Sequence, residues 1–312
     1  MGYISPTRRP PAAALRGAPP GRRWTKQAYD RAMVQAPSTP APSNRGSTTA
    51  CLFCDRSGPG IKISKEHTFP EWLTKLVGPP SPSTGNDFQM RTHRLNSFTG
   101  DATTAVKASV PSPSYVPLRG PCSDCNGGWM NNLEVRARPI ITDIFNGGTP
   151  RITPGVQRDL AAWAAKVALM LDAYEPGLAA CSSGQYRWMY QHHTPPPDWY
   201  VWIGAFAGSP TIGGHHLRLT LTIGGPAPDP GHAPNTANAD TIIAGRVVLH
   251  VFGTQVNFRL PDMPANLRNR VRRIWPARAA FEWPPGPPLT LQDAAALHRA
   301  IAAILVGPSR HV

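Results

Sequence analysis

Acidic side chains are scarce in this chain, and that scarcity is its first constraint. Asp and Glu total 18 against 32 Lys and Arg, leaving a formal net charge of +14 over 312 residues. Such an excess favours a polyanionic partner over a basic one. Long apolar runs are missing too. No stretch approaches the roughly 18 apolar residues of a membrane span, and mean hydropathy is -0.28, so a soluble protein with no membrane partner is expected. The first residues lack the apolar stretch of a secretory signal. Pro6 stands where a myristoylation signal has Ser or Thr, so the expected location is cytoplasmic. Cysteine is sparse and odd in number, at five, which excludes a disulfide-dense scaffold. No internal repeat is evident, which excludes a solenoid or propeller.

Proline (37) and glycine (28) are abundant, so much of the chain must be loop or tail. Residues 1-48 are rich in Pro, Ala, Arg, Ser and Thr and poor in Ile, Leu and Val, and are expected as a disordered basic tail. Within residues 1-50, eight basic residues face the single acid Asp30, so half of the net charge sits there. At roughly 100 to 200 residues per domain, the remainder has room for a module at 49-146 and an α+β domain with antiparallel strands at 150-312.

Hydrophobic spacing predicts a short helix over 71-77 and a strand within 103-118 broken by Pro111 and Pro113. A helix capped by Ser123 or Asp124 is expected to stop at Pro139. The clearest helix is 156-174, where Val156, Leu160, Trp163, Val167, Met170, Leu171 and Tyr174 recur at helical spacing between Pro154-Gly155 and Pro176-Gly177. Strands are expected at 199-206, 216-223, 241-252 and 254-260, the last two as a hairpin about Gly253. Residues 224-238 read as an insertion loop and 291-305 as a closing helix.

Four of the cysteines form two C-x2-C pairs, Cys51/Cys54 and Cys122/Cys125. A metal takes both sulfurs of one tight turn, so this spacing predicts a structural zinc site and a reducing compartment. Between the pairs lies Lys65-Glu66-His67-Thr68-Phe69-Pro70, and Asn126 follows Cys125 directly. A histidine can activate water near neutral pH, while a carboxylate and a neutral amide oxygen suit Mg²⁺ or Mn²⁺ better than Zn²⁺. On an extended segment Glu66 and His67 point to opposite sides, one for metal and one for water.

In these elements the chain resembles the HNH endonuclease family over about residues 51-138, in the order C-x2-C, acid-His-x-x-Pro and C-x2-C-N. Gly128-Trp129-Met130 and Leu133-Glu134 are similar to a subfamily with a longer C-terminal region. The resemblance implies a ββα-metal, treble-clef-like module and a metal-dependent endonuclease hydrolysing phosphodiester bonds in DNA. It implies His67 as general base, Glu66 and Asn126 as ligands of catalytic Mg²⁺ or Mn²⁺, and Cys51, Cys54, Cys122 and Cys125 as zinc ligands. The chain departs from the pattern in three places. Glu66 stands where many members have Asp, residues 116-121 lack the central Asn (Asn96 being the nearest substitute), and Gly127-Gly128-Trp129 replaces a basic residue.

The competing reading is a non-catalytic zinc module that binds nucleic acid or another protein. In that reading His67 makes a structural hydrogen bond, Glu66 is solvated and Asn126 bonds locally near the helix start. His93, His192-His193 and His215-His216 are expected to be non-catalytic, because adjacent histidines point apart and lack nearby acids. Cys181 has no basic neighbour and is expected to be inert, and the tryptophans to pack the core.

Overall fold

Alanine, leucine, valine and tryptophan crowd residues 154-173 so densely that a helix there has no polar face to show water, and such a helix must lie inside. In the computed structural model this is so: every residue from Leu160 to Ala173 is buried in the helix Pro154–Ala173. The structure describes residues 50–78, 91–95, 102–106, 117–174, 179–219, 236–255, 263 and 265–297. The expected tail at 1-48, the Pro111 and Pro113 breaks, most of the 224-238 loop and Asn96 lie outside these residues.

Strands β1 (Ile63–His67), β2 (Arg91–Leu95), β3 (Ala102–Val106) and β4 (Pro117–Cys122) come first, with helix α1 (Glu71–Val77) after β1. β1 pairs antiparallel with β4, and β2 with β3. From β4 the chain enters one helical turn (Ser123–Cys125), a wide π-type turn (Asn126–Met130) and helix α2 (Asn131–Phe145). After β5 (Arg151–Ile152) come the central helix α3 (Pro154–Ala173) and α4 (Ser183–His192). The five-stranded antiparallel sheet comprises β6 (Tyr200–Ala205), β7 (Thr211–Leu219), β8 (Ala237–Gly245), β9 (Val247–Thr254) and β10 (Val271–Trp275). Its spatial order is β10-β6-β9-β8-β7. Helix α5 (Ala265–Arg268) precedes β10, and β11 (Phe281–Glu282) pairs with β5. Residues 291–297 are helical, and the rest of the expected closing helix lies outside the described residues.

The chain is thus a mixture of helix and antiparallel sheet. One hydrophobic core runs from Cys51 and Phe53 through Leu133, Trp163 and Trp199 to Val251, so the regions expected as successive domains share an interior. All described residues belong to one compact unit, Thr39–Val312.

Three expectations are corrected. Helix α2 does not stop at Pro139 but carries it to Phe145. Pro139 and Val135, four residues earlier, are both exposed, so water can serve the carbonyl that loses its partner, while Leu133, Ala137, Ile141 and Ile144 continue the buried face. The hairpin turns at Gly245-Arg246 rather than Gly253, since Ala244 pairs with Val247 and Gly245 takes φ 67°. That conformation favours glycine, and a fully buried hairpin offers no alternation to mark its turn. His216, expected to lack an acid, meets Asp240 as its cross-strand partner in β8.

Asp172 of α3 binds the sheet. It accepts from the backbone N–H groups of Ala180 (2.8 Å) and Cys181 (2.9 Å) and from Arg218 Nε of β7 (3.3 Å), all buried. Cys181 itself is buried, and burial pushes its thiol pKa up, away from reactivity. His250 of β9 faces Thr241 across the hairpin, its Nδ1 3.0 Å from the hydroxyl, and burial drives its pKa from 6.5 down to about 3.

Two outcomes are expected. Asp172→Ala removes the buried carboxylate that Arg218 and the backbone at 180 and 181 bond to, and lowers unfolding free energy by about 3 to 5 kcal/mol, read from urea denaturation. His250 stays neutral in the fold but gains a proton when unfolded below about pH 6.5. Stability therefore falls as pH drops through that window, by about 1.4 kcal/mol per unit from this group alone. His250→Gln removes that contribution, so an unchanged pH slope of stability in the variant would refute the assignment.

Candidate metal centre and the strand beside it

The sequence Cys51-Leu52-Phe53-Cys54 turns sharply, with Asp55 N–H donating to Cys51 O at 3.0 Å and Asp55 itself at φ 55°. Asp tolerates this left-handed geometry better than most residues. Opposite, Cys122 ends β4 and Cys125 closes the first helical turn. The two pairs are brought together by Leu52 N–H donating to Gly120 O (2.8 Å) and Cys122 N–H donating to Cys51 Sγ (3.2 Å).

The four sulfurs lie within 4.8 Å of one another, with Cys51 and Cys125 Sγ 3.7 Å apart and Cys54 and Cys122 Sγ 3.8 Å apart. A tetrahedral zinc with Zn–S bonds of about 2.3 Å sets its sulfurs about 3.8 Å apart, so this cluster could hold such an ion. The hydrogen bond that Cys51 and Cys125 share draws Cys51 down to about 4 and pushes Cys125 up, as two sulfurs sharing one proton must. Arg56 lies beside them, donating from Nε to Cys54 Sγ (3.3 Å) and from its terminal nitrogen to Cys122 Sγ (3.6 Å) while pairing with Asp124 (2.9 Å). Its positive charge favours thiolate over thiol.

From this centre β1 runs antiparallel along β4 with a one-residue register shift between Ile63 and Lys65, and the corner is tied by Ser123 N–H donating to Lys62 O (2.8 Å) and Ser64 Oγ donating to Pro121 O (3.0 Å). Alternation along β1 buries Glu66 and exposes His67, so the two lie on opposite sides of the strand as expected. Asn126 begins the π-type turn, which Gly127-Gly128 permit: Gly128 takes φ -95° and ψ -108°, outside the helical region. There its Nδ2 donates to Ser64 Oγ at 3.2 Å, leaving the amide oxygen as its ligand-capable atom.

Glu66 has a partner that the sequence reading missed. Lys166 of α3 donates to Glu66 Oε1 at 3.2 Å and to Glu134 Oε1 of α2 at 2.8 Å. The lysine is wholly buried, while the glutamates are 12% and 15% exposed. Burial opposes the ammonium, but the carboxylates of Glu134 and Glu66 outweigh it and raise the Lys166 pKa. The signal of this ion triad was present as one lysine in the apolar run Ala164-Ala165-Lys166-Val167-Ala168, where a buried cation demands an acid. Glu66 and Asn126 thus lie against the same strand, each with its own partner. As oxygen donors, a carboxylate edge and an amide oxygen suit a hard divalent ion.

The aromatic surround ties the cysteine cluster to the rest of the core. Phe53 packs edge-on to Trp129 (5.1 Å) and Tyr186 (5.5 Å), and His193 stacks on Trp129 at 5.5 Å. His192 lies against Trp188 at 3.9 Å, so this histidine pair is engaged in ring packing. His93 is described by its backbone alone.

Comparison of the chain with protein-family models, curated proteins and solved structures finds no match. Among the described residues no helix is long and apolar enough to cross a membrane.

Elemental analysis of gently purified protein should find about one zinc per chain, and Cys125→Ser should lower that to well under half. A wild-type value below half a zinc would count against the metal assignment. Chelation of the wild type is expected to lower its melting temperature, because metal binding and folding are coupled in such clusters.

Proposed function

We propose that residues 49-146 form an HNH-type, metal-dependent endonuclease module hydrolysing phosphodiester bonds, with DNA as substrate. The observation that carries the reading is the placement of His67, exposed at the end of β1, one residue beyond Glu66. Asn126 is held against the same strand from the helix that the cysteine cluster anchors.

In this reading His67 takes the proton from an attacking water, the general-base role that histidine side chains commonly fill. Glu66 and Asn126 would hold Mg²⁺ or Mn²⁺, which supplies charge neutralisation at the phosphate and the leaving oxygen. Lys166 and Glu134 fix the Glu66 carboxylate so that it does not rotate into solvent. Ser64 fixes Asn126 through the amide nitrogen, which holds the amide oxygen in one orientation. The cysteine cluster keeps β4 and the helix start rigid behind these groups.

A second reading is favoured by Lys166 itself. An ammonium already meets the charge of Glu66, as it would in a non-catalytic zinc module that binds nucleic acid or protein.

Cleavage of supercoiled plasmid with Mg²⁺ or Mn²⁺ separates the two. The nuclease reading expects His67→Ala to lower cutting about 10² to 10⁴-fold at equal zinc content and equal melting temperature. Cutting that is unchanged in the variant, or absent from folded wild type, would favour the non-catalytic module.

A further inference from the structure

The second strongly charged feature of the molecule is far from the cysteine motifs in sequence. Residues 263-281 contain five arginines and no acid. Arg270 is neutralised by Asp293 at 2.8 Å. The other four, Arg268, Arg272, Arg273 and Arg278, line one cavity of about 340 Å³ together with Trp202 and Met263. Among the described residues none of these four is paired with a carboxylate.

Their side chains are held in place by other means. Arg272 lies over the Phe281 ring (5.3 Å) and Arg273 over the Tyr200 ring (5.7 Å), while Arg268 Nε donates to Met263 O (3.2 Å). Arg273 Nε is buried with no hydrogen-bond partner. A buried donor without an acceptor is costly, and an anion would relieve it. Four unneutralised guanidiniums repel one another for the same reason. The fork of each matches phosphate oxygens in pairs, and an aromatic wall adds stacking surface.

Buried Gln157 near the start of α3 fixes the cavity relative to the proposed catalytic strand. Its Oε1 accepts from Arg278 N–H (2.8 Å) and its Nε2 donates to Ala279 O (3.0 Å). Lys166, which holds Glu66, is nine residues further along the same helix, about 14 Å at 1.5 Å per residue. One helix thus carries both contacts, and its roughly 3.6 residues per turn place Gln157 and Lys166, about 2.5 turns apart, on opposite faces of it.

We propose that this arginine-lined cavity is a second nucleic-acid contact, gripping the phosphate backbone of the DNA that the His67 strand addresses. It rests on the nucleic-acid part of the proposed function and not on hydrolysis. A lone phosphate needs one or two of these guanidiniums, and four of them suit a repeating polyanion. The contact is to phosphate and reads no sequence.

The test is binding of a fluorescent 20-base-pair duplex by zinc-replete full-length protein, without added divalent ion, followed by anisotropy from 50 to 300 mM salt. Arg268→Ala, Arg272→Ala and Arg278→Ala are combined, leaving Arg273 and its Tyr200 contact in place. The three are exposed, and an unchanged melting temperature confirms the fold. The expected result is a salt slope flatter by about 2 to 3, at about 0.9 per phosphate no longer neutralised, and affinity at least about tenfold weaker at 100 mM salt. The Lys triple variant is expected to keep most of the slope. An unchanged slope and affinity in the Ala triple variant would overturn the proposal, as would failure of the wild type to bind DNA. Pyrophosphate that binds the wild type but is not displaced by DNA would also overturn it, marking a small-anion site. Because no divalent ion is added, the assay reads grip without cutting, so loss of cutting and loss of grip are separable.

Discussion

Taking an ammonium and a carboxylate out of water costs several kcal/mol each, and helix α3 does both, six residues apart. Each charge can stay buried only if a partner comes to it. Lys166 draws in Glu66 from β1 and Glu134 from α2, while Asp172 draws in Arg218 from β7 and the backbone at 180 and 181. The two demands act on opposite parts of the chain. One fastens the strand and helix of the cysteine cluster, and the other fastens the sheet. Apolar packing around Trp163 supplies the bulk of the favourable free energy, but it is non-directional, and these two charges specify which elements meet.

The cysteine cluster carries a complementary local constraint. Two sharp turns distant in sequence must present four sulfurs to one point, and that condition sets where β4 ends and the following helix begins. Ser123 and Ser64 tie the same corner to the start of β1, and the one-residue shift between Ile63 and Lys65 then sets the pairing of Glu66 with Leu118 and His67 with Pro117. Loss of a metal there would therefore be felt along β1 before it was felt in the distant sheet.

Features with a local cause were legible in the sequence. The C-x2-C pairs, the helix 154-173 between its Pro-Gly signals and the alternation that separates Glu66 from His67 each depend on neighbours along the chain. Features with a tertiary cause were not. Pro139 stays helical because its turn faces water, and the bend at Gly245 carries no alternation signal because both flanking strands are buried throughout. Helix α4 was passed over although Ser182 and Gln185 form a capping box, a short-range signal set in a sequence with little apolar periodicity. The His216–Asp240 contact needed the β7–β8 register, and the Glu66–Lys166 pair needed a contact across a hundred positions. Buried polar residues are where sequence reasoning is weakest, since a lone Lys or His carries no mark of its partner.

The same distinction bears on the Glu66 site. Had Glu66 been solvated, its carboxylate would be a weak and mobile donor, and the alternation of β1 would mean little chemically. Held by Lys166 it has a fixed orientation and about half the pair's negative charge compensated, which lowers affinity for a divalent ion while improving its placement. A divalent ion there would work against a nearby ammonium, so its binding would draw on other anions brought to the site. The phosphate of a nucleic acid is such an anion. If the proposed nuclease reading holds, metal and substrate would bind together more tightly than either alone.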